Sequence, residues 1–97
     1  MKNNIEVEIC TFSLESCLNA QLAGASRVEL CSGMYDGGTT PSAAMIRMAR
    51  EKLSIQLYVM IRPRGGDFLY SDLEFEMMRR ISGLLKRAGR MESCWEY

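Results

Sequence analysis

Short apolar runs of strand length alternate along this chain with longer segments of helical periodicity. The strand-like runs are 5–11, 27–31 and 55–61, and the last of them is the most apolar. The segments that follow each run carry apolar residues at three- and four-residue spacing, which is typical of amphipathic helices. The order strand, helix, strand, helix, strand, helix predicts a parallel α/β fold.

Local signals mark where the three predicted helices begin. Ser13 is the predicted N-cap of the first helix, and Thr40 followed by Pro41 predicts the start of the second. Ser71 and Glu74 have the spacing of a capping box, in which each side chain accepts a hydrogen bond from the other residue's backbone N–H. The helix that follows carries an apolar stripe that we expect to face the core, made of Met77, Met78, Ile81, Leu84, Leu85 and Ala88.

The first two predicted strands end on the same motif, a glutamate, an apolar residue and a cysteine, at 8–10 and at 29–31. Because side chains alternate along a strand, the glutamates and cysteines share one face and the apolar residues share the other. Helices cover both faces of an open doubly wound sheet, where buried carboxylates would be costly. In a closed barrel the same polar positions line the mouth, so the pattern favours a barrel. The residues expected beneath the helices are Val7, Ile9, Val28 and Leu30.

The size and charge of the chain narrow the function classes. It has 97 residues, 47% of them apolar, which suits one small globular domain, whereas a (β/α)8 barrel needs roughly 250 residues. Twelve basic and twelve acidic side chains cancel, which argues against a nucleic-acid partner. The chain has no apolar run of transmembrane length, and acidic residues at 6 and 8 argue against a signal peptide. We therefore expect a cytoplasmic protein with neither a nucleic-acid nor a membrane partner.

The reactive side chains available are few. The chain contains four cysteines, at 10, 17, 31 and 94, and no histidine. The lack of histidine excludes imidazole-based catalysis and zinc sites built from mixed cysteine and histidine. A cytosolic chain keeps its thiols reduced. Its chemistry must therefore rest on thiols, carboxylates, guanidinium groups, hydroxyls and the backbone.

Several stretches of the chain resemble the copper homeostasis protein CutC family. They are 8–10, 27–33 and 37–42, and above all the thirteen residues of 59–71, within a resemblance that spans 5–89. The resemblance implies a (β/α)8 TIM barrel, of which this chain supplies the first three βα units. It also implies a cytosolic protein associated with copper tolerance and Cu(I) binding. No enzymatic activity is firmly assigned to the family, and its full-length members can form homo-oligomers.

The sequence departs from the family pattern after residue 89, where family members continue Ala-Asp-Gly into an apolar fourth strand. Residues 90–97 read Arg-Met-Glu-Ser-Cys-Trp-Glu-Tyr. These eight residues can be encoded by a DNA sequence that, with one guanine added in front of it, is read in another frame as Ala-Asp-Gly-Ile-Val-Leu-Gly-Val. We therefore hypothesise that a one-nucleotide deletion shifted the frame, so that 1–89 are the N-terminal part of a CutC-like barrel and 90–97 an aberrant tail. On that hypothesis, a further interpretation is that the chain is a truncated fragment without function.

The resemblance assigns the candidate copper ligands. The family's proposed Cu(I) ligands, at the ends of the first and second strands, correspond to Cys10 and Cys31. Neighbouring strands lie about 4.8 Å apart, and Cu(I) is a soft ion that favours sulfur. A buried cysteine also serves as a small apolar core residue, and the residues alone leave both interpretations open. Cys17, on the first helix, and Cys94, in the tail, are not expected to complete the site.

An alternative is a TIM-barrel enzyme or binding protein for a small anionic ligand. Glu8, Glu29 and Arg62 are expected to converge at the barrel mouth, either as a structural ion-pair network or as a site for anion binding and proton chemistry. Two glycine pairs lead toward helix N-termini, where backbone N–H groups can bind an anion. The other explanation for the glycine pairs is that the geometry of the turns requires them. The residues of this candidate pocket are Glu8, Glu29, Arg62, Arg64, Gly37, Gly38, Thr39, Gly65 and Gly66.

Overall fold

The computed structural model of the chain describes residues 7–87 and the backbone of 91–95. Each of the first three strands is followed by a helix, and a fourth strand follows the third helix. None of the helices within the described residues has the length and apolarity needed to cross a membrane. The elements are β1 (Glu8–Thr11), α1 (Leu14–Leu22), β2 (Arg27–Leu30), a single 3-10 turn (Met34–Asp36), α2 (Ala43–Lys52), β3 (Gln56–Ile61), α3 (Asp72–Arg87) and β4 (Met91–Trp95).

The four strands form one parallel sheet whose spatial order follows the chain, β1-β2-β3-β4. The register pairs Cys10 with Glu29 and Glu29 with Tyr58. A doubly wound sheet would reverse its strand order at a switch point, and the described strands contain no such reversal. The α/β prediction is confirmed, and the order is that of consecutive units of a (β/α)8 barrel.

One apolar layer fills the space between the sheet and the three helices. Val28 and Leu30 are fully buried there, as predicted. Val7 and Ile9 are exposed, so the prediction that they pack under helices is wrong. The reason is that β1 lies at the edge of the described sheet, and α1 meets it at Thr11, whose hydroxyl lies 3.0 Å from the Cys17 thiol. The buried layer contains Cys17, Ala20, Ala25, Val28, Leu30, Ala49, Leu53, Leu57, Val59, Ile61, Tyr70, Met78 and Leu85.

The first two helices begin on serine caps. Ser13 caps α1 through its side chain, as predicted. Helix α2 begins two residues later than predicted, because its N-cap is Ser42, whose hydroxyl accepts from the Met45 N–H at 3.2 Å. The Thr40 hydroxyl is used elsewhere, since it accepts from the Arg62 N–H at 2.9 Å and donates to the Arg62 carbonyl at 3.2 Å. Thr40 therefore joins the loop before α2 to the end of β3.

The third helix opens on the predicted capping box. The Ser71 N–H donates to the Glu74 carboxylate at 2.8 Å, and the Glu74 N–H donates to the Ser71 hydroxyl at 3.2 Å. Both backbone donors would otherwise lack a partner inside the helix. The box therefore fixes where the chain turns from the β3–α3 loop into α3.

The apolar stripe of α3 is narrower than predicted. Met78 and Leu85 are buried and Ile81 is half-buried against the core. Met77 and Leu84 are 50% and 59% exposed, so the prediction is wrong for these two residues. Each precedes a buried residue by one position, which rotates it by about 100° around the helix axis. The remaining member, Ala88, lies outside the described residues.

Candidate metal centre

Two thiols and one carboxylate meet at the carboxyl ends of β1 and β2. Cys10 lies on β1, Glu29 is its register partner on β2, and Cys31 follows β2 directly. The two sulfurs are 3.6 Å apart, and the Cys31 thiol lies 3.8 Å from Oε1 of Glu29. One ligand atom from each residue lies within 4.8 Å of the other two. We call these three residues the Cys–Glu cluster.

The cluster is open on one side and closed on the other. Cys10 is exposed and Glu29 is half-buried, whereas Cys31 is fully buried. The loop after β2 covers Cys31 at Gly38, whose φ of +107° lies in the region that favours glycine. A Cβ at Gly38 would lie 3.7 Å from the Cys31 sulfur and 3.6 Å from the Met60 methyl carbon. An ion could therefore reach the cluster from the Cys10 side.

The environment of Cys10 favours its protonated form. Partial burial is the largest effect and raises the pKa of the Cys10 thiol, and the Glu29 and Glu8 carboxylates raise it further. The hydrogen bond with Cys31 lowers it, but the net direction is upward. A metal ligates the thiolate, so binding at this site must release the Cys10 proton.

The other cysteines do not complete the cluster in the described residues. Cys17 is buried between α1 and β1, where its thiol contacts the Thr11 hydroxyl. Burial raises the pKa of the Cys17 thiol, which suits an inert core residue. The side chain of Cys94 lies outside the described residues.

Arg62 does not join Glu8 and Glu29, contrary to the expectation of a converging charge cluster. Arg62 is 5% exposed, and no ion pair links it to either glutamate within the described residues. Glu8 instead lies 3.8 Å from the guanidinium of Arg27. The Arg62 guanidinium turns away because the loops after β2 and β3 offer it three carbonyl oxygens, those of Asp36, Gly38 and Gly66. It also lies 4.8 Å from the centre of the Phe68 ring.

The first glycine pair uses its N–H groups within its own loop. Gly37, Gly38 and Thr39 donate their N–H groups to carbonyls at Met34, Gly33 and Ser32, over 3.2, 3.0 and 2.8 Å. The expected N–H cradle for an anion is therefore not formed at this loop. Its carbonyl groups, with that of Gly66, surround the Arg62 cation instead.

The second glycine pair and Arg64 belong to the packing of the β3–α3 loop. A Cβ at Gly65 would lie 2.6 Å from the Asp36 carboxyl group, so glycine allows the two loops to touch. Arg64 bridges the Glu74 carboxylate at 2.7 Å and the Asp67 carboxylate at 3.2 Å. The Ser71 N–H and then Arg64 hold the pKa of the Glu74 carboxyl below its usual range. These contacts favour a structural role for both features.

The sequence did not assign Glu29 to the candidate metal centre. It grouped Glu29 with Glu8 and Arg62, whereas the structure places its carboxylate beside both thiols. The available signal was the spacing of Glu29 and Cys31, because residues two apart on a strand project from the same face.

Comparison with known proteins identifies the family. The family model of CutC matches residues 5–92. The copper homeostasis protein cutC homologs of Mus musculus and Homo sapiens are each 49% identical to this chain over 87 residues, which cover 90% of the chain and 32% of each relative. A CutC family protein from Bacteroides fragilis (strain YCH46) is 53% identical over 90 residues, covering 92% of the chain and 36% of the relative.

A solved structure shows the same arrangement of elements. The crystal structure of the CutC protein from Streptococcus agalactiae superposes with a TM-score of 0.82 at 38% identity, covering 92% of this chain and 44% of that one. The chain spans about a third of the length of the relatives named above. The structural match confirms that its elements are the first βα units of the CutC fold. The chain belongs to the CutC family.

Proposed function

We propose that this protein binds Cu(I) through the thiolates of Cys10 and Cys31 and serves copper homeostasis in the cytosol. The observation that carries the proposal is the 3.6 Å separation of the two sulfurs. Thiolates are the side chains that Cu(I) prefers, and two at this distance can ligate one ion. The relatives named copper homeostasis protein support the same function.

The shape of the site suits an ion that is taken up and passed on. Cys31 is buried and fixed by the loop at Gly38, so it supplies a preformed ligand. Cys10 is exposed and lies where a donor or acceptor of copper can approach. A reducing cytosol keeps both thiols available for the ion.

Copper affinity of the reduced protein tests the proposal, measured by competition with a chromophoric Cu(I) chelator. We expect one ion per chain, and we expect Cys10→Ala and Cys31→Ala each to lower the affinity more than about 100-fold. The reason is that changes in groups that only orient a ligand already cost about 10–100-fold. Cys17→Ala is the matched control, since it removes a thiol in the core.

Two results would contradict the proposal. One is retention of the wild-type affinity by the double variant Cys10→Ala/Cys31→Ala. The other is an equal loss in Cys17→Ala, which would show that copper binds to thiols without regard to the cluster. Circular dichroism of each variant establishes that the comparison is made between folded chains.

A further inference from the structure

We propose that the Cys–Glu cluster also binds a divalent cation, Zn²⁺, with Cys10, Cys31 and Glu29 as its three protein ligands. The proposal goes beyond Cu(I) binding because it adds the carboxylate as a ligand and changes the class of ion. Thiolates and a carboxylate are both accepted by Zn²⁺, and three protein ligands leave the fourth position open. The exposed side of the cluster at Cys10 provides that position.

The distances within the cluster suit a tetrahedral ion. With Zn–S bonds of about 2.3 Å and Zn–O bonds of about 2.1 Å, the two sulfurs lie about 3.8 Å apart and each sulfur about 3.6 Å from the oxygen. The cluster has 3.6 Å between its sulfurs and 3.8 Å between Cys31 and Glu29, with every pair within 4.8 Å. Side-chain shifts of about 1 Å therefore suffice.

Charge also favours a divalent ion. Two thiolates and one carboxylate carry three negative charges, of which Zn²⁺ neutralises two and Cu(I) one. Cys31 is fully buried and Glu29 half-buried, so uncompensated charge there is costly. The carboxylate oxygen is a hard donor, which suits a divalent cation better than Cu(I).

Within the part of the chain that the structure describes, the Glu29 carboxylate has no cationic side chain as its partner. Within the described residues Glu29 forms no ion pair, and it accepts a hydrogen bond from the Cys31 thiol. The nearest arginine in sequence, Arg27, pairs with Glu8 and stacks 5.3 Å from the centre of the Tyr58 ring. A half-buried carboxylate between two thiols is thus left to accept an external cation.

Glu29→Gln distinguishes Zn²⁺ binding from Cu(I) binding, because it keeps the size of the side chain and removes its charge. The probes are Zn²⁺ and Cu(I), each measured on the reduced full chain by competition with a chromophoric chelator. We expect one Zn²⁺ per wild-type chain, and in Glu29→Gln a loss of Zn²⁺ affinity of at least about tenfold with a change in Cu(I) affinity below about threefold. Glu8→Gln, which removes a carboxylate from the same strand face, is the matched control. It should leave the ratio of the Zn²⁺ and Cu(I) affinities unchanged, because any effect of Glu8 on the Cys10 proton acts on both ions alike.

Co²⁺ in place of Zn²⁺ gives a second readout that does not depend on affinity. Two thiolate ligands should produce sulfur-to-metal charge-transfer absorption in the wild type, and Cys10→Ser and Cys31→Ser should each reduce it. Glu29→Gln should keep the charge transfer and alter the visible ligand-field bands, since it removes the oxygen ligand.

The outcomes distinguish this inference from the proposed function. Failure of the wild type to bind Zn²⁺, or wild-type Zn²⁺ affinity in Glu29→Gln, overturns the zinc site. If Glu29→Gln lowers the Cu(I) affinity as much as the Zn²⁺ affinity, the inference that the carboxylate selects Zn²⁺ is also overturned. If the wild type binds Zn²⁺ in a way that depends on Glu29 but does not bind Cu(I), the proposed function is overturned and the zinc site is supported.

Discussion

The proton on Cys10 should make the proposed metal binding at the cluster depend on pH. Burial and the carboxylates of Glu29 and Glu8 raise the pKa of this thiol above its ordinary value, so Cys10 keeps its proton at neutral pH. A metal ion bound by Cys10 would ligate the thiolate, so its binding would release this proton. Below the raised pKa, the apparent affinity therefore increases as pH rises, by about tenfold per pH unit for the Cys10 proton alone.

The measurement for this prediction is Cu(I) competition between pH 6 and pH 8, corrected for the titration of the competing chelator. A slope of at least one proton per ion is the expected result. An affinity that does not change over this range would mean that Cys10 is already a thiolate or is not a ligand. Proton release on Cu(I) addition, followed in weakly buffered solution, gives an independent count.

The residues of the cluster could be predicted better than those of the alternative pocket. Strand alternation alone places Cys10, Glu29 and Cys31 on one face, because that rule is local and the register of adjacent parallel strands is simple. The partners of Arg62 could not be predicted. They are carbonyls at Asp36 and Gly38, 26 and 24 residues earlier in the chain, presented by a loop whose path depends on positive φ angles.

At the scale of the elements, Arg62 joins the loops that follow β2 and β3. Its buried guanidinium donates to carbonyls in both loops, and its backbone is paired with Thr40. We expect Arg62→Met to lower the free energy of unfolding by about 3 kcal/mol, because three backbone carbonyls, one of them buried, lose a charged donor. Arg62→Lys should recover part of this loss, since one ammonium cannot reach all three acceptors. Urea denaturation followed by circular dichroism measures both.

Arg64→Met is the control for this prediction, two positions further along the same loop. Arg64 also donates to three backbone carbonyls and has two carboxylate partners, but its side chain is 37% exposed. Partly exposed ion pairs contribute about 0–1 kcal/mol, so the expected loss is smaller than for Arg62→Met. Equal losses in the two variants would show that the burial of Arg62 adds nothing to the stability that its contacts provide.

The elements that were predicted correctly are those fixed by neighbours in sequence. The capping box of Ser71 and Glu74 and the cap at Ser13 lie within three residues of the groups that they satisfy. The predicted cap at Thr40 failed because its hydroxyl is used by Arg62, 22 residues away. Contacts across the fold thus override a good local signal where two elements meet.

At the scale of the whole molecule, the described sheet has apolar side chains at its edge. Helices pack on one face of the sheet, and β1 is paired on one side alone within the described residues. Val7 and Ile9 are 45% and 36% exposed at this edge. An edge with free backbone groups and apolar side chains is a template for pairing with another chain.

We therefore expect this 97-residue chain to self-associate as its concentration rises, through β1. Ile9→Lys should weaken the association, because a charge on an edge strand opposes pairing with a second apolar edge. Leu22→Lys is the control, since Leu22 is 84% exposed at the end of α1, away from the edge. Size-exclusion chromatography with light scattering at several concentrations measures the molar mass. A monomer at every concentration, or the same effect from both lysines, would contradict association through β1 and would mean that the exposed edge is protected within the chain itself.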